Sequence, residues 1–150
     1  STKLWGAKGG RLMAYTIRLI GLECFRAEEV DGDEIFIKLN GKKVWEANPD
    51  KMLHAPESDG MVSQYDFAGA RKRTRAGWIP LMPYQPGQFV FRDQTGASEL
   101  QLWDADVLTS DDLLGQTPID ASQASGGNIS VVFQRLGAHY RLTYKVEAQA

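Results

Sequence analysis

Cysteine occurs once in this chain, at Cys24, and histidine only twice, at His54 and His139. One thiol cannot close an internal disulfide, and two distant histidines with it cannot build a Cys/His zinc cage. A disulfide-stapled scaffold and a structural zinc domain are therefore excluded. Apolar runs are short, and none approaches the roughly 20 residues that span a bilayer as a helix. Charge of one sign is lacking as well: 17 Lys and Arg stand against 19 Asp and Glu, a net −2. Bulk attraction to nucleic acid is removed by that balance, and no nucleic-acid partner is expected. The sequence holds no G-x-S-x-G, no H-E-x-x-H and no P-loop, and neither histidine belongs to a Ser/His/Asp set. A non-catalytic protein is expected. No charged segment followed by an apolar stretch marks a secretion signal, so the expected location is cytoplasmic or at a membrane periphery.

What is present is the material of one ordinary domain: 150 residues, 43% of them hydrophobic and 24% charged. Ser1 to Leu12 is glycine-rich without period, whereas Met13 opens a stretch that alternates. Residues 1–12 therefore read as a non-native or disordered leader, and 13–150 as a single domain. Hydrophobic alternation recurs in short pieces bounded by Gly, Asn, Asp and Pro, and no helical stripe persists for three turns. Tyr15, Ile17 and Leu19 share one strand face, as do Ile35, Ile37 and Leu39. Asn40-Gly41 supplies a type I′ turn into Lys42 to Glu46. Further strands are expected near Met61 to Phe67, Gly77 to Leu81, Gln88 to Arg92, Glu99 to Trp103, Ile129 to Gln134 and His139 to Glu147. Short strands that each bury one face predict an all-β, eight-stranded antiparallel β-sandwich. Asn48 to Gly87, rich in proline and carrying a basic cluster, is the least regular part.

Nine of the nineteen acids fall in two windows, Glu28, Glu29, Asp31, Asp33 and Glu34, then Asp104, Asp106, Asp111 and Asp112. Both windows sit at strand boundaries. They are either solvated turns at opposite ends of the domain, or loops meeting at one end, where a hard cation with oxygen ligands would relieve their repulsion.

Leu102-Trp103-Asp104-Ala105-Asp106-Val107-Leu108-Thr109-Ser110-Asp111-Asp112-Leu113-Leu114-Gly115 resembles the third calcium loop of C2 domains. It has an apolar strand end, D-x-D, a short tip, then Asp, two apolar residues and Gly. The EF-hand template fails here, because its required glycine falls on Thr109 and its bidentate acid on Gly115. The resemblance, to a C2 domain or a C2-like bacterial-type relative, implies calcium as the ion and Asp104, Asp106 and Asp112 as its carboxylate ligands. The first window is similar to the family's first loop but departs from it: Glu28 and Glu34 take the six-residue spacing usually held by aspartates, with Asp33 a further ligand. Val107 and Leu108 become the tip that meets a membrane. The implied partner is anionic phospholipid or a protein, and two bound calcium ions would reverse the sign of the net charge. A calcium-independent structural or assembly subunit, with the acidic loops as its contact surface, is the alternative.

Arg71-Lys72-Arg73-Thr74-Arg75 is the one dense basic run. It reads as a solvated loop, as a contact for anionic lipid through Arg71, Lys72, Arg73 and Arg75, or as an internal cover over the acidic loops. Trp45, Trp78, Trp103 and Tyr84 would suit a sugar-stacking platform, or simply the core.

Overall fold

Hydrophobic alternation over Tyr15–Arg26 changes phase midway, yet the segment is one continuous strand of 12 residues. Tyr15, Ile17 and Leu19 point into the core, and after a register shift opposite Thr143 and Tyr144 so do Leu22 and Cys24. Ile20 is the extra residue of a β-bulge, which lets a long strand keep one apolar face.

The computed structural model describes residues 7–8, 11–47, 51–53 and 62–149. In chain order these form β1 (Ala7–Lys8), β2 (Arg11–Leu12), β3 (Tyr15–Arg26), β4 (Ile35–Leu39), β5 (Lys42–Glu46), β6 (Val62–Asp66), β7 (Arg71–Thr74), β8 (Gly77–Pro80), β9 (Val90–Gln94), β10 (Ser98–Asp104), β11 (Asp112–Ile119), β12 (Asn128–Phe133) and β13 (His139–Ala148), with a 3-10 turn at Ala121–Gln123. One sheet runs β11-β10-β4-β5 and the other β12-β13-β3-β6-β7-β8, with β9 also paired to β3. Among the described residues, β1 and β2 pair with each other and with no other strand, inside the segment read as a leader. His54 and Met61 lie outside the described residues.

Neighbouring strands in both sheets are antiparallel. Their inner faces share one core, with Ile17, Leu22, Tyr140 and Leu142 from the larger sheet and Ile37, Leu100, Leu102 and Leu114 from the smaller. This is the antiparallel β-sandwich that the alternation predicts. Two segments not expected as strands raise the strand number: the basic run, which forms β7, and Asp112–Ile119, which forms β11. The basic run is thus a paired strand, not a solvated loop.

Asn40 and Gly41 carry φ of 52 and 81, the two positive values that a type I′ turn requires between β4 and β5. Register then decides where the loops go. Ile35 and Asp112 both stand opposite Asp104, and Arg26 stands opposite His139. Loops 27–34, 105–111 and 134–138 consequently leave the sandwich at the same end, which excludes the arrangement with the two acidic windows at opposite ends.

Candidate metal centre at the acidic end

Asp33 is fully buried at 0% exposure and organises the first loop. Its carboxylate accepts the backbone N–H groups of Glu28 at 2.8 Å and Glu29 at 3.0 Å, and the Tyr140 hydroxyl at 2.6 Å. Burial pushes this carboxyl above its ordinary range, against the pull of the Tyr140 hydroxyl and the two amides. Gly32, at φ +100, completes the turn, since a Cβ there would meet Leu53 Cδ2 at 2.8 Å. Both Asp33 oxygens are engaged, so this residue holds the loop in shape.

The second loop is shaped by Asp106. Its Oδ1 accepts the Leu108 and Thr109 amides at 3.0 and 3.3 Å, and its Oδ2 accepts the Thr109 hydroxyl at 2.6 Å. The Thr109 hydroxyl first, then the Leu108 amide, hold Asp106 below the usual carboxylate range. Asp111 Oδ1 accepts the Asp106 amide at 3.0 Å, so the tip is closed by its own acids.

What remains at the junction of the loops is a group of three. Glu28, Asp104 and Asp112 each place a carboxylate oxygen within 4.8 Å of the others. Asp104, 1% exposed, accepts the Glu34 amide on Oδ1 at 2.9 Å, while Ala105 donates to the Glu34 carbonyl at 2.8 Å. Asp104 Oδ2 and Glu28 Oε2 are buried and accept no hydrogen bond. Such atoms carry the full desolvation cost of their charge. Burial, then the Asp33 charge, pushes Asp104 up to about 8, and burial with the neighbouring Asp112 carboxyl pushes Glu28 up to about 7. Among the described residues, no lysine or arginine pairs with any of the three.

Of the residues singled out by sequence, Asp104, Asp112 and Glu28 converge, while Asp33 lies beside them with its oxygens occupied. Asp106 and Glu34 do not join the group. Asp106 is turned into its own tip, and Glu34 meets Asp104 through its backbone. The Glu34 carboxylate acts instead on Lys51, which is raised first by Asp31 and then also by Glu34 and Glu29. Three hard oxygen donors with two unsatisfied atoms fit a divalent cation of flexible coordination.

Val107 and Leu108 stand exposed on the second loop. Sequence reasoning missed Val30 and Leu136, which are exposed on the other two loops at this end. The signal for them was an apolar residue stranded among acids, in Glu29-Val30-Asp31, and one before a turn glycine, in Leu136-Gly137. Arg135 Nη1 donates to the Leu113 carbonyl at 3.0 Å and ties the third loop to the start of β11.

Among the described residues, no arginine of the basic run pairs with an acid of the two loops. Arg71 pairs with Asp66 at 2.8 Å and lies 4.3 Å over the Trp78 ring. Lys72 is half-buried in the strand, and Arg73 and Arg75 are exposed. The four aromatic residues make no common platform: Trp45 is buried against Tyr65 and Phe67, Trp103 stacks on Phe36, Trp78 lies under Arg71, and Tyr84 stacks on Phe89.

Among the described residues, no helix is long and apolar enough to cross a membrane. No protein-family model matches the chain, and no curated protein matches it in sequence. Solved structures that it is similar to include human GIVD cytosolic phospholipase A2, at 14% identity and TM-score 0.44, covering 91% of this chain but only 17% of that one. The paired C2 domains, A and B, of Extended-Synaptotagmin 2 are similar at 11% identity and TM-score 0.45, covering 99% of this chain and 47% of that one. The first C2 domain, domain A, of plant Extended Synaptotagmin 1 is similar at 8% identity and TM-score 0.39, covering 92% of this chain and 96% of that one.

Proposed function

We propose that this domain is a non-catalytic binding module that takes calcium at its acidic end and then associates with an anionic phospholipid surface. The observation that carries this reading is the pair of buried, unpartnered oxygens, Asp104 Oδ2 and Glu28 Oε2, beside Asp112. Those three residues would hold the ion, and the ion would supply the positive charge that three converging carboxylates call for. Neutralising the acidic end removes its repulsion from lipid phosphates, and Val30, Val107, Leu108 and Leu136, exposed on the three loops of that end, would enter the interface.

Two measurements test this. Calcium titration followed by thermal unfolding should raise the melting temperature, by about 2.7 kcal/mol of stability at a hundredfold excess over Kd. Co-sedimentation should show calcium-dependent binding to phosphatidylcholine vesicles containing phosphatidylserine, lost in Val107→Asp and Leu108→Asp. No thermal shift at millimolar calcium overturns the metal centre, and a shift without vesicle binding overturns the lipid partner.

A second reading is favoured by the raised Glu28 and Asp104. Glu28 and Asp104 can take up protons near neutral pH, leaving exposed Glu29, Asp31 and Asp111 to face a basic protein. In that calcium-independent assembly role the protein would melt at the same temperature in calcium and in chelator.

A further inference from the structure

A separate cavity lies along β3, away from the acidic loops. One edge of β3 is shared by two strands: β9 pairs with it at Tyr15, Ile17 and Arg18, and β6 takes over from Gly21. At the changeover the Leu19 amide donates to the Phe89 carbonyl at 3.0 Å, and the Ile20 carbonyl accepts the Phe67 and Ala68 amides at 2.9 and 3.2 Å. Backbone groups are thus satisfied while the two partner chains part. The wedge between them is a cavity of about 380 Å³, at the small end of ligand pockets, which run from roughly 300 to 1,000 Å³.

Its lining combines two arginines, Arg18 and Arg92, with three aromatic rings, Phe67, Tyr84 and Phe89. Phe67 and Phe89 are buried and lie 4.5 Å apart, and Tyr84, 38% exposed, stacks on Phe89 at 6.3 Å. The charge balance is uneven. Glu147 accepts from Arg18 Nε, has Lys145 Nζ at 3.9 Å, and is drawn down first by Arg18, then by Lys145 and Arg92. One carboxylate therefore answers three cations. Asp93, next to Arg92, is held instead by Gln149 Nε2 at 2.9 Å. Elsewhere on this sheet face the pairing is one to one, Arg141 with Glu23 and Arg71 with Asp66.

We propose that this cavity binds an oxyanion carried on a flat apolar group, an aryl phosphate being the simplest example. Arg18 and Arg92 would grip the anion through charge-assisted hydrogen bonds, and Tyr84 with Phe89 would take the ring by stacking. The site is independent of the calcium reading.

Phenyl phosphate titrated into isotope-labelled protein, followed by amide chemical shifts, tests it. Saturable shifts are expected at Leu19, Ala68 and Phe89, with inorganic phosphate and benzyl alcohol each binding about tenfold or more weaker. Arg92→Gln, at an exposed position, should weaken phenyl phosphate by about tenfold, and Arg92→Lys by less. Tyr84→Ala should bring it down to the level of inorganic phosphate. Arg75→Gln, in the distant β7–β8 turn, should change nothing. No saturable shift at these amides, equal affinity for phenyl and inorganic phosphate, or an unchanged Kd in Arg92→Gln would each overturn the proposal.

Discussion

The acidic end and the outer face of the larger sheet use the same residue types to opposite effect. Across the sheet face, register sets Glu23 opposite Arg141 and Asp66 opposite Arg71, and each acid finds its cation. At the end of the sandwich, the pairings that set Asp104 opposite Ile35 and Asp112 bring carboxylates together instead. Exposed cross-strand ion pairs contribute little to stability, about 0.2–1 kcal/mol each. Buried like charges with unfilled acceptors do the reverse: they lower stability until something binds. A region that works against its own fold is where a ligand has most to offer, and that contrast can be broken at several points.

The largest effect is expected from Asp33→Ala. It deprives the Glu28 and Glu29 amides and the Tyr140 hydroxyl of their acceptor at a fully buried position. Urea unfolding should show a loss of about 3 kcal/mol or more, as each stranded buried donor costs roughly 1–3 kcal/mol. The loss should appear in chelator as well as in calcium, because Asp33 acts on loop shape. A loss confined to calcium would make Asp33 a ligand instead.

Next in size comes Asp104→Asn. Thermal unfolding in calcium should lose the whole gain of about 2.7 kcal/mol that wild type shows at a hundredfold excess over Kd. In chelator the variant should be as stable as wild type or more so, by up to about 1 kcal/mol, since the amide oxygen can still accept the Glu34 amide and the charge is gone. If the variant melts above wild type in calcium too, the end of the domain is a protein-contact surface and holds no ion.

The pH dependence separates the two regions on unmodified protein. Glu28 and Asp104 have folded-state values raised to about 7 and about 8, above the ordinary carboxylate range of the unfolded chain. Between about pH 4 and 8 the folded state therefore holds more protons, so stability falls as pH rises through that window. In chelator, denaturant unfolding at about pH 5 and about pH 8.5 should differ by several kcal/mol, with the acidic sample the more stable. In calcium the slope should reverse, because the carboxylates must lose their protons to serve as ligands. A flat profile in both conditions would show that Glu28 and Asp104 are not as enclosed as the fold places them.

Legibility in the sequence followed the range of the interactions. β13 and the start of β3 could be read because period-two alternation is local, and the β4–β5 hairpin because Asn40-Gly41 states its turn chemistry directly. β7 could not, since Arg71-Lys72-Arg73-Thr74 has no apolar face of its own and becomes a strand through pairing with β6 and β8. β11 was hidden because it starts at Asp112, inside what reads as a loop, and because a bulge at Leu102 and Trp103 shifts its partner. At the site, the family resemblance pointed to Glu28, Asp104 and Asp112, which the structure brings together, but a sequence pattern says nothing of where a carboxylate points. Asp106 and Thr109 form a local side-chain turn, a signal that was present in the sequence and went unused. For Glu34, only the tertiary pairing of β4 with β10 reveals that its backbone, and not its carboxylate, reaches Asp104.

The smallest expected effect completes the contrast. Arg141→Gln and Glu23→Gln each break an ion pair on the larger sheet, where both side chains keep substantial exposure, 47% and 29%. Water and salt already screen such a pair, and freeing two long side chains returns conformational entropy, so each change should alter stability by about 0.5 kcal/mol or less. Neither should alter the calcium response or the slope with pH, because neither residue touches the three carboxylates. Because both singles break the same pair, the double variant should cost no more than about either single alone. If Glu23→Gln instead costs several times that amount, the sheet face depends on its charges for stability, and the small value assigned to its ion pairs is wrong.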